Sequence, residues 1–472
     1  MTPEEPLEIL WSEEERQRQK KTNPIINAPL LDELDTKLTT RIMANEFMRK
    51  YTVVWDDYTG GVYIHNGSFW QSISKDYLCS LAINCDTINH TTDARRTATV
   101  KHVLAQVHQL QVNWNRIKTE EVPLKDCVFN IHTNEKRPHS WEDYLDSVIP
   151  HKYCSWKKCD NWLKCLDIWF ETEDKKLALQ EFFGYILCSH VMYKKALLLW
   201  GESNTGKSVV CEVAKEMVGR IATCSIQPEK MDDPQLIAEL KGKKLNIVTE
   251  LSSGSSIADG GFKQIISGEP VQGNAKYKTV STFVPIAKHV FATNVLPRLN
   301  DESEGVLNRL LLLKFNNVLD KEKQDPLLIE KLKEEVEGIV VWALAGLRRL
   351  MTNNGQFTIP SETVSIMGDY KITQNFVLDF IKNSGIVEEE AGGKVAIEVF
   401  VEHLNKYCGG KPLSNIQVGK KMSKLGFKSS TSGGIRYYEG LKIKGIKKNI
   451  KNNVININDN VPNNFFGEMP DF

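Results

Sequence analysis

An octapeptide, GESNTGKS at residues 201–208, has the residue types and spacing of a loop that holds phosphate groups. Backbone N–H groups of such a loop, together with the positive end of the following helix dipole, bind phosphates. Lys207 would reach the terminal phosphates, and the Ser208 hydroxyl would coordinate Mg²⁺. This pattern indicates a site for ATP and magnesium. The candidate nucleotide contacts are Gly201, Glu202, Ser203, Asn204, Thr205, Gly206, Lys207 and Ser208.

A strand must precede this loop and a helix must follow it. Residues 197–200 (LLLW) form an apolar run suited to a buried parallel strand, and residues 209–218 (VVCEVAKEMV) carry apolar side chains at helical spacing. Both conditions are therefore predicted to hold. Kinases, GTPases, transporters and helicases all use such loops, so other segments must decide between them.

The next apolar run, KLNIVTEL at residues 244–251, places a carboxylate at the end of a predicted strand. Hydrolysis of a nucleoside triphosphate needs an acid beside the loop, to hold the magnesium shell and polarise the attacking water. Glu250 fits both roles, including that of a metal ligand. The alternative interpretation is a solvated glutamate at a strand end.

Two further candidates follow along the chain. The run AKHVFATNVLP at residues 287–297 contains Asn294, whose amide can donate and accept together and so orient water against a γ-phosphate. Arg309 lies in GVLNRLLLLKF, just before another apolar run. It could form a buried structural pair, or it could stabilise transition-state charge at the nucleotide of a neighbouring subunit.

These four segments, in this order, resemble the superfamily 3 helicases, and most closely the helicase part of phage, plasmid and poxvirus primase-helicases. The most specific segment is FKQIISGEPVQGNAKYKTVSTFVPIAKHVFATNVLP, where SGEP precedes a basic-aromatic hairpin. The resemblance implies an α/β fold, an AAA+-like P-loop core with a parallel sheet, and a homo-oligomer, namely a hexameric ring. Many relatives carry two arginines where this chain has Asn308-Arg309, so only Arg309 can inherit the role in trans.

The predicted hairpin supplies the first candidate contacts with nucleic acid. Lys276 and Lys278 would bind phosphates while Tyr277 stacks on a base or packs against sugar, which gives sequence-independent, salt-sensitive binding to single strands. In the resembled family such hairpins line the channel of the ring. The alternative is a solvated surface turn.

The pattern along the chain predicts several regions. Gly60-Gly61 and Asn66-Gly67 are typical of hairpin turns, and FNIHTNEKRPHSWEDYL is similar to the domain that precedes the helicase in the family. Asp126-Cys127 replaces the Asn-Gly usual there.

An interruption around Pro360 predicts a linker at residues 358–369. The predicted regions are a polar helical arm (1–44), an N-terminal α+β domain (45–155), a helical collar (156–195), the ATPase domain (196–355), a small winged-helix domain (370–446) and a disordered tail (447–472).

The C-terminal region resembles the winged helix of the same proteins. Residues 411–451 contain eleven lysines and arginines against one acid. The recognition helix would carry Lys420, Lys421 and Lys424, and the wing would carry Arg436. The alternatives are a solvated lysine face and a protein-docking module. The terminal FFGEMPDF is similar in composition to tails of bacterial single-strand-binding proteins that dock replication partners.

Bulk composition limits these interpretations. The 472 residues contain 60 Lys+Arg and 60 Asp+Glu, so any basic surface must be local. A charged amino terminus and the lack of an apolar run of about 18 residues predict a cytoplasmic protein without membrane contact, in the host cytoplasm if viral. The ten cysteines are scattered, and the gaps between Cys154, Cys159 and Cys165 are typical of buried thiols rather than zinc ligands.

These features together predict an ATP-dependent replicative DNA helicase of a virus or mobile element, acting on single-stranded and forked DNA. The alternative is an ATP-regulated replication initiator that binds one defined duplex site. A phosphotransferase would need an acceptor pocket and an arginine-rich lid, and neither is recognisable. The sequence shows no sign of a primase, because neither a D-x-D carboxylate pair on a strand nor a set of zinc-binding cysteines is visible. Priming would therefore come from a partner, a separate primase or polymerase.

Overall fold

A computed structural model describes residues 36–56, 60–85, 93–107, 109–110, 112, 114–251, 256–257, 259–274, 280–299, 304–320, 322, 324–374, 376–408 and 412–444. The chain divides between Met367 and Gly368 into two compact units. No helix within these described ranges combines the length and the apolar character needed to cross a membrane.

Residues 36–150 form an α+β assembly with two sheets. The larger sheet has the strand order β3-β2-β1-β4, and the smaller has the order β5-β6-β7. Both predicted hairpins are present, as β1–β2 and β2–β3. Asn66 closes the second turn, because its Oδ1 accepts the backbone N–H groups of Ser68 and Phe69. The elements are α1 Thr36–Lys50, β1 Val53–Asp56, β2 Gly61–His65, β3 Trp70–Ile73, α2 Lys75–Ile83, α3 Asp93–Gln106, β4 Gln109–Leu110, β5 Glu121–Pro123, β6 Val128–Asn130 and β7 Lys136–Arg137.

The rest of the first unit is built on a five-stranded sheet of order β16-β8-β14-β10-β9, parallel throughout. The predicted parallel α/β sheet is therefore confirmed. Leu197 and Leu199 pack into one apolar core and Leu198 into another, because successive side chains of a strand face opposite sides. The elements are α4 Asp160–Trp169, α5 Glu173–Leu187, β8 Ala196–Gly201, α6 Lys207–Val218, β9 Thr223–Cys224, α7 Pro234–Ile237, β10 Leu245–Val248, β11 Ser256–Ile257, α8 Asp259–Ile266, β12 Val271–Gly273, β13 Ser281–Phe283, β14 Lys288–Thr293, β15 Arg298–Leu299, α9 Glu304–Leu307, β16 Leu310–Phe315, α10 Leu328–Glu334 and α11 Val336–Thr352.

Helix α5, which precedes the sheet, packs on helix α11, which follows it. Glu181 on α5 is 1% exposed, and its Oε1 lies 2.7 Å from Arg349 Nε on α11. The backbone N–H of Thr358 also donates to this carboxylate, so the buried charge is fully engaged. The collar helices and the helices after the sheet therefore form one layer.

Of the three cysteines that the sequence places close together, Cys159 and Cys165 belong to the apolar core that also contains Leu197 and Leu199. Cys154, Cys159 and Cys165 are buried, and burial raises the pKa of the Cys159 and Cys165 thiols to about 11. Within the described ranges no group of three or more His, Cys, Asp or Glu side chains could hold a metal ion. These thiols pack as small apolar groups.

Two lysines lie at the starts of neighbouring strands, at the amino edge of the sheet. Lys244 precedes β10 and Lys288 starts β14, and both are buried. Lys288 Nζ donates to Cys188 O at 2.5 Å and to Ile286 O at 3.0 Å. Burial lowers the pKa of Lys288 to about 7.

This pKa predicts a pH dependence of stability. Between about pH 7 and 10 the unfolded chain holds a proton on Lys288 that the folded chain has released, so stability rises with pH. Relative to Lys288→Met, the parent should gain about 1 kcal/mol of unfolding free energy per pH unit over this window. Denaturant unfolding of both proteins at several pH values measures the difference. A difference that does not change with pH would contradict the assignment.

The second unit contains a three-stranded antiparallel sheet of order β17-β19-β18. Helices α13, α14 and α15 cover it, with Phe380, Phe400 and Leu441 fully buried in their common core. The winged-helix assignment stays a prediction. The elements from the end of the first unit onward are α12 Ser361–Gln374, α13 Phe376–Asn383, β17 Val387–Ala396, α14 Ile397–Cys408, α15 Asn415–Lys424, β18 Ser429–Ser432 and β19 Ile435–Ile443.

Helix α12 covers most of residues 358–369, so the interruption of the helical pattern expected there was wrong. The two compact units nevertheless divide within the predicted linker, between Met367 and Gly368. Pro360 stands immediately before the first helical residue, Ser361. At a helix start proline loses no hydrogen bond, because the first N–H groups have no intrahelical acceptor. The proline therefore marks a helix beginning rather than a break.

Candidate nucleotide-binding site and nucleic-acid surfaces

The loop at residues 201–206 connects strand β8 to the amino end of helix α6, as its sequence predicts. Gly206 has φ +100° and immediately precedes the helix. A Cβ on Gly206 would lie 2.3 Å from Trp169 Nε1, so a larger residue would displace the indole. Glycine is thus required both by the positive φ and by the lack of room for a Cβ. The amino terminus of helix α6 then stays open to an anion.

Lys207 lies within the curve of this loop. Its Nζ donates to Gly201 O at 2.7 Å, to Glu202 O at 2.5 Å and to Thr205 Oγ1 at 3.2 Å. Burial lowers the pKa of Lys207, while nearby Cys211 and Glu250 act to raise it. The ammonium is therefore held by the loop and lies within electrostatic reach of Glu250.

Glu250 and Asn294 follow neighbouring parallel strands, β10 and β14, at the carboxyl edge of the sheet. Asn294 Nδ2 lies 3.4 Å from Ser203 Oγ in the loop, and Trp200 Nε1 donates to Asn294 O at 3.1 Å. Both Glu250 and Asn294 are exposed. The structure thus brings an ammonium, a carboxylate and an amide to one accessible edge, together with the exposed Ser208 hydroxyl. This set of donors and acceptors fits a magnesium-bound triphosphate.

Arg309 lies at the opposite edge of the sheet. It immediately precedes β16, and its carbonyl accepts from the backbone N–H of Ala196, the first residue of β8. Strand β8 has 6 residues, so at about 3.3 Å per residue Arg309 lies roughly 20 Å from the loop. An arginine side chain is too short to cover that distance. Arg309 cannot act on a nucleotide bound by its own chain.

The guanidinium of Arg309 is instead fixed locally. Its Nε and Nη2 donate to Ser267 Oγ at 3.2 and 2.9 Å, and Nη1 donates to Gly305 O at 2.8 Å. The side chain is half-buried. The sequence analysis assigned no role to Ser267, although the SGEP segment contains it. Gly268, in the same segment, is the signal that could have identified Ser267 as a helix C-cap.

The strands that carry the predicted basic hairpin are present in the structure. β12 pairs antiparallel with β13, with Val271 opposite Phe283 and Gly273 opposite Ser281. The candidate contacts Lys276, Tyr277 and Lys278 lie outside the described residues. Their role stays a prediction.

In the second unit, Lys420 and Lys424 are exposed on helix α15, and Arg436 is exposed on strand β19. Lys421 is placed differently from its neighbours. Its Nζ lies 3.6 Å from the centre of the Phe376 ring, and burial lowers its pKa to about 8. Lys421 therefore packs against an aromatic ring, while the other three are accessible to a nucleic acid.

Strand β17 carries glutamates that lie outside residues 411–451, so the comparison of basic with acidic residues over that range did not include them. Lys442 Nζ lies 2.9 Å from Glu390 and 4.0 Å from Glu388, and Lys444 Nζ lies 3.7 Å from Glu388. Because β17 pairs with β19, these carboxylates neutralise that part of the sheet. Among the described residues, the other basic side chains of this region lie on α15, at Lys428 and on the β18–β19 hairpin.

Comparisons with known proteins agree with this architecture. Residues 41–171 match the family described as D5 N terminal like, and residues 199–309 match a family of unknown function, DUF5906. An uncharacterized mitochondrial protein of Marchantia polymorpha, ymf21, is 23% identical over 148 residues, which are 29% of this chain and 82% of that protein.

Solved structures are similar over most of the chain. Two apo A-form structures of the NrS-1 C-terminal region match with a TM-score of 0.51 at 12% identity, covering 87% and 85% of this chain and 100% of each of those chains. At that identity the likeness shows a shared fold. The family match at residues 41–171 and this fold support a relation to the phage-type primase-helicases, while membership of superfamily 3 stays a prediction.

Proposed function

We propose that the chain is an ATP-dependent replicative DNA helicase of a virus or mobile element that works as a homo-oligomeric ring, a hexamer. The observation that carries this proposal is the position of four side chains at the two edges of one sheet. Lys207, Glu250 and Asn294 lie at the carboxyl edge, and Arg309 lies at the amino edge. A complete hydrolytic site therefore needs an arginine from a second copy, in a head-to-tail contact that can close into a ring.

Each residue then has a defined role in hydrolysis. Lys207 binds the β- and γ-phosphates, and Ser208 and Glu250 hold Mg²⁺. Glu250 polarises a water whose oxygen attacks the γ-phosphorus, as the bond to the β,γ-bridging oxygen breaks and ADP leaves. Asn294 orients that water, and Arg309 of the neighbouring copy stabilises the charge that develops on the leaving phosphates.

The test of this proposal is ATP hydrolysis with and without single-stranded DNA, combined with native mass. We expect hydrolysis to be stimulated by the DNA, and the mass to correspond to a ring when nucleotide is present. A chain that stays a single copy with nucleotide and DNA, and hydrolyses ATP at an unchanged rate, would refute the proposal.

The second candidate is a replication initiator in which ATP controls assembly. The exposed Lys420, Lys424, Lys428 and Arg436 favour it, because none of them has an ion pair in the described part of the chain. In a winged helix such a face would bind a duplex groove. Unwinding of a forked duplex of random sequence would support the helicase, whereas binding to one defined duplex without strand separation would support the initiator.

The basic face of the second unit gives a prediction under either function. Replacing Lys420 and Lys424 together with alanine should weaken DNA binding and lower the slope of log affinity against log salt by about one for each lost phosphate contact. Lys442→Ala is the matched control, since Lys442 is engaged by Glu390 at 2.9 Å. Titration of both variants with forked DNA at several salt concentrations measures the effect. An equal loss in the control would contradict the assignment of the face.

A further inference from the structure

We propose that Ser267 is a positioning residue for Arg309, and that it fixes the guanidinium for use at the nucleotide of a neighbouring copy. The inference rests on the proposed function. Ser267 Oγ accepts two N–H groups of Arg309, at 2.9 and 3.2 Å. Ser267 is 8% exposed, so water competes little for these bonds.

The position of Ser267 is fixed by the way helix α8 ends. Gly268 has φ +67°, and its N–H donates to Ile265 O at 3.0 Å. The N–H of Glu269 donates to Gln264 O at 3.1 Å. These two bonds and the left-handed glycine form a Schellman motif with Ser267 as the C-cap. A Cβ on Gly268 would lie 2.9 Å from Val191 Cβ, so the turn tolerates no larger residue without movement.

Some N–H donors of Arg309 are bonded within the chain, and the others are left for a phosphate. Arginine carries five N–H donors, and three of them are used by Ser267 and Gly305. One N–H on each terminal nitrogen has no partner among the described residues. These two N–H groups stay available to the oxygens of a phosphate. A guanidinium already held in place also loses less rotamer freedom when it meets the nucleotide.

The same turn leads directly into the hairpin strands. Three residues separate Ser267 from Val271, the first residue of β12. Gln264 Nε2 donates to Pro270 O at 2.8 Å, which is a second link between helix α8 and the approach to β12. Chain continuity and this bond thus join the β12–β13 pair to the turn that holds Ser267. The structure assigns the SGEP segment as the connection between this strand pair and Arg309.

The experiment measures kcat and KM for ATP in the presence of single-stranded DNA, together with native mass. We expect Ser267→Ala to lower kcat about 10-fold, because two hydrogen bonds to a charged group are lost. KM and the oligomer should stay unchanged, since the phosphate loop is untouched. Ser267→Thr keeps the hydroxyl and should restore most of the rate. A structural defect would not be rescued in this selective way.

Two further variants separate the possible failures. Ser189→Ala removes another buried hydroxyl, one with no hydrogen-bond partner in the described chain, and should match the parent. If Arg309→Ala is inactive while Ser267→Ala retains the parent kcat, the positioning role is refuted and the proposed function stands. If Arg309→Ala hydrolyses ATP at the parent rate, the proposed function itself falls.

Discussion

Replacing Lys207 with alanine is expected to lower ATP hydrolysis roughly 1,000-fold while the protein stays folded. The ammonium is the one buried cation inside the loop curve as far as the described residues show, and its three acceptors all belong to the loop. Without it, the charge that develops on the terminal phosphates has no fixed counter-charge from the loop. Phosphate release measured under saturating ATP, with thermal unfolding of the same sample, tests the prediction.

Lys215→Ala provides the control for this variant, because it makes the same change on the same helix. Lys215 Nζ lies 2.5 Å from Glu212 on the helix surface, in a pair whose loss costs little. Its activity should equal that of the parent. Hydrolysis by Lys207→Ala at the rate of this control would show that residues 201–208 are not the hydrolytic site.

The placement of the loop at residues 201–206 and of Glu250 and Asn294 at the carboxyl edge was predictable from sequence, because each depends on local pattern. An apolar run, a glycine and a lysine at fixed spacing define the loop without any knowledge of distant contacts. Glu250 and Asn294 each follow an apolar run, and in a parallel sheet such positions share one edge. The sequence could not show that Trp169, from a helix before the sheet, packs closely against Gly206 of the loop.

Features that depend on pairing across the chain were not predictable. The charge count over residues 411–451 treated Lys442 as part of a basic surface, but the partner of β19 is β17, which brings Glu388 and Glu390 beside it. Lys421 follows Lys420 directly, yet only Lys421 packs on the Phe376 ring. A helix turns by about 100° per residue, so adjacent lysines face different surroundings.

Mixing two inactive variants, Lys207→Ala and Arg309→Ala, should restore ATP hydrolysis. If each site combines the loop of one copy with the arginine of the next, an interface with an intact Lys207 on one side and an intact Arg309 on the other is complete. Random assembly in equal amounts gives such interfaces at about a quarter of positions. The rate per chain should therefore approach a quarter of the parent rate, measured after the chains are combined before ATP and DNA are added.

Restored hydrolysis in the mixture would show that Arg309 acts at the site of a neighbouring copy rather than only supporting the structure of its own chain. Arg309 bonds to Ser267 and Gly305 within its own chain, so its removal could inactivate the protein by disturbing the amino edge of the sheet. A chain disturbed in that way could not supply a working Lys207 loop to a mixed interface, and the mixture would stay inactive. The distance of about one strand between Arg309 and its own loop argues for restoration. A mixture no more active than either variant alone would refute the shared site.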